Sequence, residues 1–413
     1  MLLISTWSRP FVKASVVLLF IGSSIGSTWM LTLSGYSIGI PAGAFTLHKE
    51  LQTGAVTLLI MGVMYMLLPR IRSIRFTHVR EARVSFILMI IALIVHSSRI
   101  IAMDTVNGTA IANAMTVASY TLKVTALVLF STVMLLMLKT APRVGRLADY
   151  YFILALSMLI IYNVLHTLTI ADIGIGMESL NLIYIWLTSV ILTIFGVQYK
   201  VVPVFFNQST PMSGIDKVAF ISTLASSSLL LLNLFLYAMI AMIASSLTFA
   251  YSTYIMRRLT IPEFLYTSDD PQAKEKVARL RFFATLLRVS YVALLLGLIS
   301  AVLYAINPSF NLYDLAIHIV TIGFIGITIM NFMPIMLPPI LGRNVNYTRF
   351  NMIPLIVLLT AVALRIAWNI LPYMMQVDRV VFGISGVVTV AAMLLYINMI
   401  HASMDPPYTS MPR

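Results

Sequence analysis

The sequence predicts an all-α integral membrane protein, with twelve transmembrane helices in three pseudo-repeats of four and both termini in the cytoplasm. The first observation behind this prediction is composition. Of the 413 residues, 60% are hydrophobic and only 10% are charged, far too apolar for a soluble domain. The net charge of +13 lies in short connectors, so we expect contact with membrane lipids rather than with nucleic acid.

The second observation is the length of the apolar runs. Runs of about 20 residues, enough to cross the hydrocarbon core, mark twelve segments. The run 217–256 is too long for one crossing, so it is divided near Asn233. The longest connector, about 257–281, is polar and too short for a domain, so residues 1–413 should form one polytopic membrane domain. The segments lie near 10–34, 46–69, 83–103, 110–138, 148–170, 179–206, 216–233, 235–256, 282–306, 313–339, 350–371 and 379–402.

The third observation is the position of the lysines and arginines, which predicts orientation. Connectors after even-numbered segments carry most of the cations, and the opposite connectors carry few. The positive-inside rule therefore places both termini in the cytoplasm of a multi-pass protein of the cell membrane. The cations after segments 2 and 8 are Arg70, Arg72, Arg75, Arg80 and Arg83, and Arg257, Arg258, Lys274, Lys276, Arg279 and Arg281.

A repeated motif predicts the threefold order. Segments 2, 6 and 10 end in "GVMYMLLP" (Gly62–Pro69), "GVQYKVVP" (Gly196–Pro203) and "NFMPIMLP" (Asn331–Pro338), with the final prolines 134 and 135 residues apart. This spacing predicts repeats of about 1–147, 148–281 and 282–413. The alternative is that apolar helices often end in proline before a basic loop, and the third copy lacks the glycine.

Two of the six histidines occupy matching positions. His48 lies 21 residues before Pro69, and His318 lies 20 residues before Pro338. At about 1.5 Å per residue this is about 30 Å, so both should lie near the outer surface at one depth. Two neutral imidazoles facing across a bundle are the usual axial ligands of a low-spin haem b. The alternative for each is a hydrogen bond between helices.

With these features the chain resembles subunit I of the haem–copper oxygen and nitric oxide reductases. The resemblance covers the whole chain in architecture but only short motifs in sequence, and it implies that His48 and His318 hold a low-spin haem near the outer face. The phrase "HIVTIGFIGITIM" is also similar to the haem membrane proteins of the nitric-oxide response. A third resemblance is to the hydrophobic subunit of archaeal membrane b-type cytochromes. The motifs do not distinguish these relatives.

The departures from the oxidase pattern exclude its active site. A second histidine of segment 10 is replaced by Ala316, and segments 6 and 7 contain no histidine. The resemblance therefore implies a relative without the copper site, which does not reduce oxygen. Whether the chain is an enzyme stays open, and a non-catalytic redox subunit is the favoured interpretation. The absence of cysteine excludes iron–sulfur clusters and covalently attached c-type haem on this chain.

Other polar residues complete the predicted site. Arg365 and, with less support, Arg99 are expected to bind the haem propionates, because a cation in an apolar segment needs a partner. His96 and His166 could form a second haem site, part of a quinol pocket, or plain interfacial contacts. Lys123 could line a polar path or pair with a carboxylate. Glu50 could orient His48 as a hydrogen-bond acceptor.

Two main functions follow. The first is a membrane electron-transfer subunit of a respiratory complex, passing electrons between quinol and an extracytoplasmic cytochrome or iron–sulfur protein. The second is a haem-free membrane anchor or transporter of the same fold, and a haem protein of the nitric-oxide response is a third possibility. Transporters usually have broken helices and paired midplane charges, and the midplane here holds little except Lys123 and Arg288, which favours the first function.

Overall fold

The computed structural model describes residues 7–36, 39, 43–103, 108–140, 146–170, 177–259, 261, 269–370 and 380–404. These residues form helices and connecting turns, without a β-strand. The helices are α1 (Arg9–Leu33), α2 (Ala44–Ile71), α3 (Val79–Met103), α4 (Gly108–Thr140), α5 (Arg146–Ile170), α6 (Ser179–Phe205), α7 (Ile215–Leu231), α8 (Phe235–Ser252), α9 (Pro271–Ile306), α10 (Phe310–His318), a π-helix (Ile319–Gly326), α11 (Ile327–Leu341), a 3-10 turn (Tyr347–Arg349), α12 (Ile353–Ile370) and α13 (Val380–Ser403).

The helices have the length and composition of membrane spans. Among the described residues, ten helical stretches are long and apolar enough to cross a bilayer. Large apolar side chains within the helices, such as Ile94 and Ile221, are 59% and 63% exposed, as expected for surfaces in contact with lipid. The chain is therefore an all-α protein of the multi-pass membrane type. All twelve predicted segments contain helix, but α7 has only 17 residues, and the count of twelve crossings stays a prediction.

The chain divides into two compact units. The N-terminal unit comprises Ser5–Thr32 and Ser37–Gly196, and the C-terminal unit comprises Leu33–Tyr36 and Val197–Arg413. In the N-terminal unit α3 packs on α4, and α4 packs on α5. In the C-terminal unit α7 packs on α8, while α9 contacts α8, α10 and the π-helix.

A tight turn separates α7 from α8 where the sequence analysis placed it. Asn233 has a φ of 58°, in the left-handed region that asparagine tolerates better than most residues. Hydroxyl groups then join the two helices: Ser226 donates to the carbonyl oxygen of Ala238 over 2.8 Å, and the Thr223 and Ser245 hydroxyls lie 2.5 Å apart. Such bonds are typical of helix pairs in a lipid environment. The predicted division of the long apolar run is confirmed.

One predicted boundary is wrong. The polar connector was expected to reach residue 281, but α9 already begins at Pro271, and Asp270 caps it by accepting from the backbone of Gln272 at 3.0 Å. An aspartate followed by proline is a helix-start signal that works without an apolar face. Segment 10 is helical from Phe310 to Leu341, and it contains an eight-residue π-helix, Ile319–Gly326, that the sequence did not predict.

The first residue of the repeated motif in segments 2, 6 and 10 (Gly62, Gly196 and Asn331) makes a similar contact each time. In each case the residue lies against a buried phenylalanine of the preceding long helix, and the contacts in α2 and α6 leave no room for a side chain. A Cβ on Gly62 would lie 2.6 Å from Cβ of Phe11, a Cβ on Gly196 would lie 2.6 Å from Cε1 of Phe152, and the Asn331 side chain donates to the carbonyl oxygen of Phe283 over 3.2 Å.

Candidate functional site

The first candidate site surrounds His318, the last residue of α10. The imidazole Nδ1 lies 2.9 Å from the carbonyl oxygen of Asp314 and 3.1 Å from its carboxylate, one helical turn earlier. A carbonyl oxygen can only accept, so Nδ1 carries the proton. A histidine held in this way would coordinate a metal through Nε2, which is how protein ligands are commonly oriented. The His318 side chain is 22% exposed, so it is not sealed in the core.

Asp314 is held firmly from α12. Arg365 donates to both carboxylate oxygens, from Nε over 2.7 Å and from Nη2 over 2.6 Å, and Asn369 adds a bond of 2.9 Å. Arg365 and Asn369 are four residues apart, so they share one face of α12, as Asp314 and His318 share one face of α10. All but His318 are at least nine-tenths buried. We call these four residues the His318 cluster.

The π-helix that follows His318 is packed tightly against α9. A Cβ on Gly297 would lie 2.5 Å from a methyl group of Val320 and 3.1 Å from its backbone nitrogen. Likewise, a Cβ on Gly323 would lie 2.7 Å from the Cβ of Ala293. Short π-helical segments are often found at functional sites. Here the segment begins directly after His318.

The second predicted ligand, His48, is held in a similar way in the N-terminal unit. Its Nδ1 lies 2.7 Å from the carbonyl oxygen of Gly22 in α1. The ring lies directly against Gly26, where an added Cβ would be 2.4 Å from Nδ1, so only glycine leaves room for this imidazole. His48 and His318 belong to different units, and their coordination of a single iron stays a prediction.

A second buried cluster is centred on Glu50 in α2. One carboxylate oxygen accepts from the Tyr120 hydroxyl over 2.6 Å, and the other forms an ion pair with Lys123, both from α4. Glu50, Tyr120 and Lys123 are at most 4% exposed. Of the two predictions for Lys123, pairing with a carboxylate is confirmed. The described contacts of Glu50 are to α4, and the expectation that it orients His48 stays a prediction.

His96 in α3 and His166 in α5 both lie next to Tyr120 of this cluster. Their rings are 5.5 Å and 4.8 Å from the ring of Tyr120. The His96 Nδ1 is 3.2 Å from the Ser119 hydroxyl, whereas His96 Nε2 and His166 Nδ1 are buried without a hydrogen-bond partner in the part of the chain that the structure describes. We call Glu50, Tyr120, Lys123, His96 and His166 the Glu50 cluster.

The two arginines assigned to haem propionates have protein partners. Arg365 binds Asp314, which supplies the compensation that its burial requires. Arg99 donates from Nη1 to the Thr116 hydroxyl over 3.1 Å, and its Nε is buried without a partner in the described residues. Propionate binding stays a prediction for both, and a neutral hydroxyl leaves the charge of Arg99 less compensated than that of Arg365.

Sequence reasoning missed Asp314 and Tyr120, which organise the two clusters. Asp314 had a visible signal, since an aspartate in an apolar segment four residues before a histidine lies on the same helix face. Tyr120 had none, because it lies 70 residues from Glu50 in the sequence.

Comparison with known proteins adds family membership. No curated protein matches the chain in sequence. A family model described as a domain of unknown function, DUF8744, matches residues 109–404, which includes His166, His318 and Arg365 but not His48. Because this match spans more than half of the sequence, the chain belongs to the DUF8744 family.

Proposed function

We propose that the chain is a membrane electron-transfer subunit that binds a low-spin haem b through His48 and His318 near the outer face of the cell membrane. The observation that carries the proposal is the hydrogen bonding of the two histidines. Each donates Nδ1–H to a backbone carbonyl oxygen, which orients Nε2 as the ligating atom. Each histidine by itself is therefore oriented as a haem ligand would be.

The same proposal includes the finer architecture: twelve crossings, three repeats of four helices and cytoplasmic termini, as in haem–copper subunit I. This architecture is supported by the contacts of Gly62, Gly196 and Asn331, the first residues of the repeated motif in segments 2, 6 and 10. Each joins the second helix of a predicted repeat to a phenylalanine of the first. Chance proline endings do not account for a shared tertiary contact.

Haem iron supplies one-electron chemistry when it is bound. If His48 and His318 both held the iron, the protein itself would supply two ligands, which favours electron transfer over gas binding. The protein's own contribution is to fix both imidazoles through their Nδ1 hydrogen bonds.

The proposed partners are membrane quinol and an extracytoplasmic cytochrome or iron–sulfur protein. A haem alone needs a donor and an acceptor, and a chain without cysteine cannot hold an iron–sulfur cluster. We therefore propose that the protein is one subunit of a larger membrane complex.

An optical spectrum tests the cofactor. The purified protein, reduced with dithionite, should show a low-spin b-type spectrum. His48→Ala and His318→Ala should each abolish it or convert it to high spin, whereas the control His401→Ala, at the end of α13, should leave it intact. Unchanged spectra in both ligand variants would defeat the assignment, and stoichiometric copper by metal analysis would contradict the absence of an oxygen-reducing centre.

A haem-free transporter is the second candidate, and the Glu50 cluster favours it. A buried carboxylate–ammonium pair beside two histidines is typical of proton pathways in membranes. Proteoliposomes with an internal pH dye decide between the two. Proton flux in wild-type protein that is lost in Glu50→Gln, together with no haem spectrum, would favour the transporter.

A further inference from the structure

We infer that Asp314 is a positioning residue that sets the orientation and the electron-donor strength of His318 toward iron. The inference rests on the proposed haem function, and it assigns to the buried ion pair of α10 and α12 a purpose beyond joining two helices. Arg365 is then a residue that holds Asp314, rather than one that binds a propionate.

The geometry gives the first part of the argument. The His318 Nδ1 lies within 3.1 Å of two acceptors from the same residue, the backbone carbonyl and the side-chain carboxylate of Asp314. The carboxylate itself cannot rotate away, because Arg365 binds both of its oxygens and Asn369 binds one of them again. Asp314 therefore fixes the orientation of the His318 ring, and Arg365 and Asn369 fix the carboxylate of Asp314.

The chemistry gives the second part. A carboxylate beside Nδ1–H withdraws that proton partially, which makes Nε2 a stronger donor to a metal. A stronger donor stabilises the ferric form over the ferrous form, so the carboxylate should lower the reduction potential of the iron. His48, whose Nδ1 lies on the Gly22 carbonyl, would be the weaker donor of the two.

An ion pair that only joined two helices would not need Asp314 to lie beside His318. An ion pair between α10 and α12 would join the helices equally well with its carboxylate facing away from the histidine. Asp314 and His318 instead share one helix face, and the helix changes to π geometry at the next residue. The shared helix face concerns the histidine rather than the contact between the helices.

The experiment compares three variants in the full-length protein with bound haem. Asp314→Asn removes the carboxylate charge that compensates Arg365, so this variant can fail to fold. The double variant Asp314→Asn/Arg365→Gln removes both charges, so neither residue carries an uncompensated charge. Asp216→Asn is the matched control, since Asp216 is also buried in the C-terminal unit but accepts from Tyr199 and touches no histidine in the described contacts.

The readouts are the midpoint potential by redox titration and the low-spin spectrum of the ferric form. We expect the double variant to favour the ferrous form at least about tenfold more than wild type, equivalent to about 59 mV for one electron, and Asp216→Asn to match wild type. Loss of haem supports positioning only if folded Asp314→Asn, which keeps Arg365, loses it as well, since such partners typically change metal affinity about 10–100-fold.

The result that overturns the inference is a double variant with the wild-type potential and spectrum. Asp314 would then serve the helix contact alone, and the proposed haem function would stand. Failure of the proposed function looks different: the wild-type protein itself would show no haem spectrum.

Discussion

At the residue scale, two buried ion pairs hold helices together in the part of the chain that the structure describes. Glu50 with Lys123 and Asp314 with Arg365 are both buried and both join neighbouring helices within one unit. A buried charge without its partner costs several kcal/mol, so each pair is a point where a single substitution has a large effect.

The Glu50 pair gives the first prediction. Glu50→Gln and Lys123→Met should each destabilise the protein by about 3–5 kcal/mol, because each leaves one uncompensated charge in an apolar core. The double variant should be markedly less destabilised than the sum of the two. Thermal unfolding in detergent measures this, and additive losses would show that the two residues do not depend on one another.

Gly26 gives the second prediction. Gly26→Ala places a methyl group within 2.4 Å of the His48 ring, so the imidazole must move and the haem spectrum should weaken or disappear. Gly39→Ala is the control, since no atom lies within 4 Å of its added Cβ. A normal spectrum in Gly26→Ala would mean that His48 does not need its present position.

At the element scale, the π-helix depends on close approach to α9. Gly297→Ala brings a Cβ to 3.1 Å from the backbone nitrogen of Val320. A helix backbone cannot move aside as the end of a flexible side chain can. We expect a loss of about 1–3 kcal/mol, as for overpacked cores. Gly326→Ala, in the same π-helix, has its nearest contact at 3.6 Å and should be tolerated. Equal unfolding temperatures for the two variants would contradict this packing argument.

At the scale of the whole molecule, the absence of cysteine makes orientation easy to test. A single introduced cysteine is the only thiol. Glu178→Cys, between segments 5 and 6, should react with a membrane-impermeant thiol reagent in intact cells, because the charge distribution places it outside. Lys274→Cys should react only after permeabilisation. The reverse pattern would invert the predicted topology.

Assembly is a separate prediction at this scale. Purification in mild detergent followed by mass spectrometry should recover other subunits, among them a cytochrome or iron–sulfur protein. A lone chain with full quinol-linked electron transfer would count against a multi-subunit complex.

The sequence by itself determined the helices and their order. An apolar run must be helical in lipid because its backbone groups have no other partners, and run length then marks each segment, including the turn at Asn233. It also singled out His48 and His318, since spacing along a helix translates directly into depth.

Only the tertiary structure decided what those side chains contact. Arg365 is 51 residues from Asp314, Glu50 is 73 from Lys123, and His48 is 26 from Gly22, and no local pattern links such positions. The π-helix is equally invisible to periodicity, since close packing of Val320 against Gly297 accompanies it rather than any local sequence signal. Local sequence fixes backbone hydrogen bonding, whereas partners across helices depend on which faces pack together, a property of the assembled helices alone.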